Sequence, residues 1–301
     1  MTVDRSPPRS LSPLETAVWR TIAYSDVFDY PLCLPEIHYY LEGVPADLTE
    51  IERVLANGRL RPHHLSYRDP YYMLPGRETI GPIRQRRETF SQTLWPAAHR
   101  YGRFIASLPF VRMVAVTGSL AVNNVDERLG ADIDYLIVTQ NGRVWLSRAF
   151  IVAIVRLAAR RGYDLCPNYI LAETALAFPD QNLYTARELL QMVLLYGLET
   201  YRQIRQTNTW VTQFMPNAAR APLNRPDLLA PYTTMQRLLE LPLTTPAGSW
   251  LDEWEMGRKI HKFGRQSNHH HEADFHKDWC KGHFDAHKGR ILSAYQKTIN
   301  G

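Results

Sequence analysis

Three short runs of aliphatic residues, with one long helical segment before the last of them, constrain the fold of this chain more than any other feature. The runs are VRMVAVT, DIDYLIVT and YDLCPNYIL, and the helical segment is VWLSRAFIVAIVRLAARRG, which ends at Gly162. Runs that are apolar at most positions are typical of strands buried on both faces of a sheet, and a glycine commonly follows the last turn of a helix. The alternation therefore predicts an α/β core over residues 111–174.

The first part of the chain predicts a small helical module. A helix with a capping-box pattern is followed by two shorter helical patterns, and LSYRDPYYMLPG predicts two strands around an Asp-Pro turn. Three helices and a hairpin predict a winged-helix-like module over residues 1–78, which either binds DNA or serves as a packing or protein-contact module. The second alternative is favoured because Asp47, Glu50 and Glu52 lie toward the start of the third helix, where a DNA-recognition helix usually places groups that reach bases and phosphates.

The remaining segments predict mainly helices. We expect an arginine-rich linker helix over residues 79–110 and a C-terminal helical domain over residues 175–301. The longest uncharged apolar stretch of the chain, Leu189–Leu198, is far too short to cross a bilayer, so we expect no membrane partner and a cytoplasmic location. The three cysteines are widely separated and show no C-x-x-C spacing, which fits a reducing compartment.

Two carboxylates lie close together at the start of the second strand. Asp132 and Asp134 project from the same face because side chains alternate along a strand. Like charges on one face weaken a strand unless a cation lies between them, and Mg²⁺ takes one or two carboxylates together with phosphates and water. The pair Gly118-Ser119 follows the first strand, where a glycine lets phosphate oxygens approach the backbone without meeting a Cβ.

This combination resembles the nucleotidyltransferase superfamily of the DNA polymerase β type. The resemblance covers residues 111–174 and implies a minimal nucleotidyltransferase fold, which is an α+β core with a mixed sheet. It implies that Gly118 and Ser119 hold the phosphates of a nucleotide. It also implies that Asp132 and Asp134 bind two Mg²⁺ ions and act in catalysis.

The resemblance further implies a third carboxylate on a following strand, where it helps to activate the attacking hydroxyl. The local sequence YDL makes Asp164 the candidate for this catalytic position. Asn168 lies two pleats further along the same strand face. If Asn168 occupies the third position, the carboxylate is replaced by an amide that cannot act as a base.

Two basic residues are candidates for nucleotide binding. Arg148 lies in the first turns of the helix after the second strand, where it could reach phosphates or pair with a nearby carboxylate. Lys281 lies in the segment CKGHF, and basic groups from the C-terminal part of this superfamily often close over the triphosphate. A solvated surface position explains Lys281 equally well. The long segment between the Gly-Ser pair and the aspartates could form an acceptor-specific loop, whose polar residues are Asn123, Asn124, Asp126 and Glu127.

A histidine-rich tract near the C-terminus is a second candidate metal site, since imidazole is the commonest protein ligand of transition metals. The tract has no His-Glu-x-x-His spacing, so a surface loop is the favoured interpretation. Its histidines are His261, His269, His270, His271, His276, His283 and His287.

We therefore expect a Mg²⁺-dependent enzyme that transfers a nucleoside monophosphate from an NTP to a hydroxyl or phosphate acceptor. The acceptor stays open between a small molecule, a protein side chain and an RNA end, including the tRNA substrate of a toxin-like enzyme. The alternative is a winged-helix DNA-binding regulator with a degenerate nucleotide-sensing core. Nucleic acid is a candidate partner because the excess of 35 Lys and Arg over 30 Asp and Glu falls within residues 201–301. Neither a G-x-S-x-G elbow nor a P-loop pattern occurs, which disfavours serine hydrolases and P-loop NTPases.

Overall fold

The structure is a computed structural model that describes residues 11–221, 228–266, 274–281 and 284–300. The chain divides into two compact units. Each unit draws on separate stretches of sequence, which differs from the predicted division into consecutive domains. The first unit holds the described residues of Met1–Arg84, Trp210–Ala221 and Ser293–Gly301, and the second holds those of Gln85–Thr209 and Pro222–Leu292.

The first unit begins with three helices and a hairpin. The helices are α1 (Pro13–Asp26), α2 (Leu34–Tyr39) and α3 (Leu48–Ala56), and the antiparallel strands are β1 (Ser66–Arg68) and β2 (Tyr71–Met73). This is the predicted element order, and the winged-helix interpretation of it stays a prediction. At the start of α3, the Asp47 carboxylate accepts a hydrogen bond from the backbone N–H of Glu50, and the Glu50 carboxylate accepts one from Asp47, so both acidic groups serve as helix caps.

The following elements complete the described chain. They are α4 (Ile80–Ala106), β3 (Val111–Val116), α5 (Gly118–Ala121), β4 (Asp132–Thr139), α6 (Val144–Ala159), β5 (Asp164–Ala172), α7 (Leu183–Gln191), β6 (Val193–Tyr196), α8 (Leu198–Thr207), a 3₁₀ helix (Thr209–Gln213), α9 (Pro216–Arg220), α10 (Thr233–Leu243), α11 (Pro246–Gln266), β7 (Asp274–His276), β8 (Trp279–Lys281) and α12 (Phe284–Asn300). None of the helices in these ranges is long and apolar enough to span a membrane.

A six-stranded mixed sheet forms the centre of the second unit. Its strand order is β6-β3-β4-β5-β8-β7, and β4 pairs with β5 in parallel while the other neighbours pair antiparallel. The predicted mixed α/β class is confirmed, and β3, β4 and β5 lie on the three aliphatic runs that predicted strands.

Part of the segment predicted to be helical belongs to this sheet. The residues of β6 pair with β3, and β8 pairs with β5. The short apolar run VLLY of β6 lies within the predicted helical domain, and periodicity alone does not distinguish a buried helical turn from a buried strand of this length. The helix α7 ends before this run, and Gly197, with φ of 88°, separates the run from α8.

The two faces of the sheet have different surroundings. On one face, Ile133, Tyr135 and Ile137 of β4 belong to a hydrophobic core that includes residues of α4 and α6. Side chains alternate along the strand, so Asp132 and Asp134 project from the opposite face. We call this second face the acidic face.

Candidate functional site

The Gly-Ser turn lies directly against β4. The backbone N–H of Thr117 donates to the carbonyl of Asp134 at 3.0 Å, which fixes the end of β3 beside the second aspartate. Gly118 has φ of 64°, and a Cβ added there would lie 2.3 Å from Oδ2 of Asp134. Both the backbone conformation and the lack of space therefore require glycine at this position.

The two aspartates share the acidic face with Cys166. Asp132, Asp134 and Cys166 each offer one ligand atom, and these atoms all lie within 4.8 Å of one another. In the parallel pairing of β4 with β5, Cys166 is the partner of Asp134. The Cys166 thiol also forms a hydrogen bond with the Asp134 carboxylate.

Electrostatics at these residues favour the neutral forms. Burial and then the neighbouring carboxylate of Asp132 raise the pKa of Asp134 to about 7. Burial and, to a smaller extent, Asp164 also raise the pKa of Asp132. Burial and the Asp134 carboxylate raise the pKa of Cys166, so its sulfur stays a thiol at neutral pH. A positive charge between the aspartates would relieve the repulsion that opposes their ionisation.

Glu188 of α7 is a further carboxylate that the sequence did not single out. Its side chain accepts a hydrogen bond from the backbone N–H of Gly118, and burial raises its pKa to about 7. Its charge also contributes to the raised pKa of Asp134. The N–H of Gly118 therefore faces a carboxylate in this structure, whereas the Gly-Ser turn was expected to direct its backbone donors at phosphate.

The hydroxyl of Ser119 is the polar group of this turn that is open to a ligand. Ser119 is partly buried, and its hydroxyl makes no hydrogen bond to any residue within the described ranges. Its carbonyl accepts the N–H of Asn124 at 2.8 Å, which holds the backbone of the turn in place. The backbone hydrogen bond thus fixes the position of the Ser119 side chain, and the hydroxyl takes no part in that bond.

The two candidates for the third position lie on β5, on either side of Cys166. Asp164 is the register partner of Asp132, but it is exposed and is not a member of the group of ligand atoms around Asp134. The pairing register shifts between Asp134 and Leu136, and Asn168 lies in the corresponding irregularity of β5. The residue that faces Asp134 is thus Cys166, and the catalytic role of Asp164 stays a prediction.

The structure separates the two basic candidates. Arg148 of α6 forms a hydrogen bond with the Cys280 thiol, and its guanidinium lies 5.9 Å from the centroid of the Trp145 ring. Trp145 and Cys280 belong to the core on the face opposite the aspartates. The geometry therefore does not support the expected phosphate contact of Arg148.

Lys281, in contrast, belongs to the acidic face. It is the register partner of Tyr169 on β5, and its Nζ lies 5.4 Å from the centroid of the Tyr169 ring. Tyr169 in turn is the register partner of Leu136, two residues after Asp134. The side chain of Lys281 is therefore on the same face as the aspartates but two strands away from them.

The long segment before β4 is held against α4. Arg87 donates to the carboxylate of Asp126 at 2.7 Å, and the indole N–H of Trp95 donates to the side-chain oxygen of Asn123 at 2.7 Å. These contacts engage Asp126 and Asn123, two of the four polar residues that were expected to select an acceptor. The histidine-rich tract contributes nothing to this site within the described residues, and His276 stacks on Trp279 with centroids 4.5 Å apart. The side chains of His261, His269, His270, His271, His283 and His287 lie outside the described part of the chain.

A cleft of about 570 Å³ adjoins the carboxylates on the acidic face. It lies between the sheet and α7, and its opening to solvent is included in that volume. Two of its lining residues are neighbours of Gly118: Thr117 precedes it in the sequence, and Glu188 accepts a hydrogen bond from its backbone N–H. Its other lining residues are Leu136, Tyr169, Phe178, Pro179, Asp180, Thr185, Leu189, Met192, Lys281 and Lys288.

The donor set at the carboxylates fits a hard divalent cation. Asp132 and Asp134 supply carboxylate oxygens, which Mg²⁺ prefers. Cys166 is not a Mg²⁺ ligand, because sulfur is a soft donor and the raised pKa keeps it protonated.

No protein-family model matches the chain, and no curated protein or solved structure matches it either.

Proposed function

We propose that this protein is a metal-dependent nucleotidyltransferase, which transfers a nucleoside monophosphate from an NTP to a hydroxyl or phosphate acceptor. The observation that carries the proposal is the contact between the Gly-Ser turn and the second aspartate. A glycine is required at Gly118 because Asp134 fills the space where a Cβ would be. A phosphate-binding turn and a metal-binding pair of carboxylates would need this closeness, since Mg²⁺ in proteins is usually held by one or two carboxylates together with substrate phosphates.

The residues of the chain have distinct parts in the proposed reaction. Asp132 and Asp134 hold the cation, and the Cys166 thiol fixes the orientation of the Asp134 carboxylate. The Ser119 hydroxyl donates to a phosphate oxygen. Mg²⁺, when bound, supplies the positive charge that stabilises the negative charge developing on the phosphates during transfer.

The rival proposal, a DNA-binding regulator, has less support in the first unit. Asp47 and Glu50 cap α3 and place negative charge at its start. A phosphate backbone repels such a helix end, whereas recognition helices commonly present neutral or basic groups there.

Labelled NTPs with purified protein test the proposal. We expect Mg²⁺-dependent NTP binding in calorimetry, and pyrophosphate release when an acceptor is present. Asp132→Asn and Asp134→Asn should abolish both, whereas Asp126→Asn is a matched control that removes a carboxylate paired with Arg87 outside the site. Equal NTP affinity in Mg²⁺ and in EDTA, or salt-dependent duplex binding without any NTP binding, would refute the proposal.

A further inference from the structure

We propose that the cleft between the sheet and α7 is the acceptor site, and that it binds a small alcohol with an aromatic body. This inference rests on the proposed nucleotidyl transfer, because it assigns the second substrate of that reaction. It selects a small molecule among the acceptors that the sequence left open.

The first argument is a buried hydroxyl without a hydrogen bond. Thr117 is 4% exposed, and its Oγ1 makes no hydrogen bond to any residue in the described ranges. Thr117 lines the cleft. A buried hydroxyl without a partner costs free energy, so natural proteins rarely keep one unless a ligand or water engages it. Because Thr117 lies on the cleft wall, a ligand bound in the cleft can supply this partner.

The second argument is the shape and chemistry of the walls. The rings of Tyr169 and Phe178 stack with centroids 5.3 Å apart and planes 21° from parallel, so they place a pair of stacked aromatic rings on the cleft wall. Aliphatic side chains face it from β4 and α7, and the residues concerned are Leu136, Leu189 and Met192. The lining is mostly apolar with a few polar groups that can orient a ligand, as is common in small-molecule sites. An apolar ring system is therefore the body that suits this cleft.

The third argument concerns charge where the cleft meets the aspartates. The Glu188 carboxylate borders both the cleft and Gly118. A neutral alcohol can donate its hydroxyl hydrogen to Glu188 and accept a hydrogen bond from Thr117. Glu188 thus gives the acceptor hydroxyl a proton acceptor on the cleft wall beside Gly118.

The resulting reaction is balanced. The acceptor oxygen forms a bond to the α-phosphorus of the NTP, and the bond from that phosphorus to the bridging oxygen of pyrophosphate breaks. Pyrophosphate leaves with the electron pair of that bond. The hydroxyl proton of the acceptor passes to the Glu188 carboxylate.

Saturation-transfer NMR on the full chain tests the assignment, with a fixed set of probes. The probes are 2-phenylethanol, 3-phenylpropanol and 4-hydroxybenzyl alcohol, and glycerol is the non-aromatic comparison. We expect the aromatic alcohols to bind without NTP, and Phe178→Ala to weaken binding at least tenfold by removing one of the two stacked rings. Thr117→Val should weaken binding several-fold without changing the shape of the cleft. Phe104→Ala is the matched control, because Phe104 packs against the core on the other face.

The outcomes separate this inference from the proposed function. If no aromatic alcohol binds, or if Phe178→Ala binds them as wild type does, the acceptor assignment is wrong even when Mg²⁺-dependent NTP binding persists. If Phe178→Ala weakens NTP binding and NTP displaces the probes competitively, the cleft holds the nucleoside and the assignment is likewise overturned. Probe binding together with Mg²⁺-dependent formation of the nucleotidyl ester of a probe supports both proposals.

Discussion

Gly118 lies so close to Asp134 that a single added methyl group would overlap the carboxylate, at 2.3 Å from Oδ2. Gly118→Ala therefore has to displace the Asp134 side chain in addition to straining a backbone with φ of 64°. We expect this variant to lose Mg²⁺-dependent NTP binding, measured by calorimetry. Gly142→Ala is the matched control, because Gly142 has φ of 68° and open space around its Cβ position. Both variants should lose on the order of 1 kcal/mol of stability from the left-handed conformation, and equal NTP binding by the two would contradict the close-approach argument.

The raised pKa of Asp134 predicts a pH dependence of the metal-free protein. Between the ordinary aspartate pKa of about 4 and the folded-state value of about 7, the folded protein retains a proton that the unfolded chain has released. Stability from this proton is therefore complete below about pH 4 and is lost as the pH rises toward about 7. Asp134→Asn has no such proton to lose. In EDTA, the melting temperature of this variant minus that of wild type should therefore increase as the pH rises through this window.

A control with the opposite sign accompanies that measurement. The Arg87 guanidinium lowers the pKa of Asp126, so the stability that Asp126 provides is present above its ordinary pKa and is lost on acidification. The deficit of Asp126→Asn relative to wild type should therefore be largest at neutral pH. If Asp134→Asn and Asp126→Asn showed the same pH trend, the shifted pKa of Asp134 would not be the cause.

Two buried threonines on the sheet should respond oppositely to loss of their hydroxyl groups. The hydroxyl of Thr139 donates to the carbonyl of Leu171 at 3.2 Å, whereas that of Thr117 has no partner in the described part of the protein. Thr139→Val should lower the free energy of unfolding by about 1 kcal/mol, and Thr117→Val should leave it unchanged or raise it. Urea unfolding followed by circular dichroism measures both, and a loss of similar size in the two variants would argue that Thr117 is already hydrogen-bonded.

Cys166→Asp should convert the site into one with three carboxylates. The new carboxylate would face Asp134 across the strand pairing, so repulsion in EDTA should lower the melting temperature below that of wild type. Mg²⁺ should then raise the melting temperature by more than it does in wild type, because a ligand stabilises the state that binds it. Cys166→Ser keeps a small hydrogen-bond donor and should show neither effect. If Mg²⁺ did not change the melting temperature of Cys166→Asp, residue 166 would not face the metal position.

Local sequence patterns were sufficient to predict the central strands and to place the two aspartates on one face of β4. The period of two along a strand places Asp132 and Asp134 on one face whatever the surrounding fold, and the aliphatic runs of β3, β4 and β5 are recognisable by composition. The position of Gly118 after β3 follows from the same reasoning. What these patterns have in common is that the residues concerned lie close together in the chain.

The remaining parts of the site depend on contacts that no local pattern determines. Cys166 faces Asp134 because of the register between β4 and β5, and the shift in that register moves Asn168 out of line. Glu188 reaches Gly118 only because α7 lies on the acidic face, and an isolated glutamate in a helical pattern gives no signal of this. Arg148 lies on a helix, as the sequence predicts, but the sequence of α6 does not predict on which side of the sheet this helix packs.

The pairing of β5 with β8 makes the order of synthesis important for this sheet. Residues Asp164–Ala172 leave the ribosome long before Trp279–Lys281, so the outer edge of β5 has its backbone groups unpaired during most of translation. An apolar strand with an open edge is a template for pairing with other chains. Nascent chains and products shortened before β8 should therefore depend on chaperones. The aspartates would exist in such products, but the wall of the cleft that includes Lys281 would be added only with the last strand.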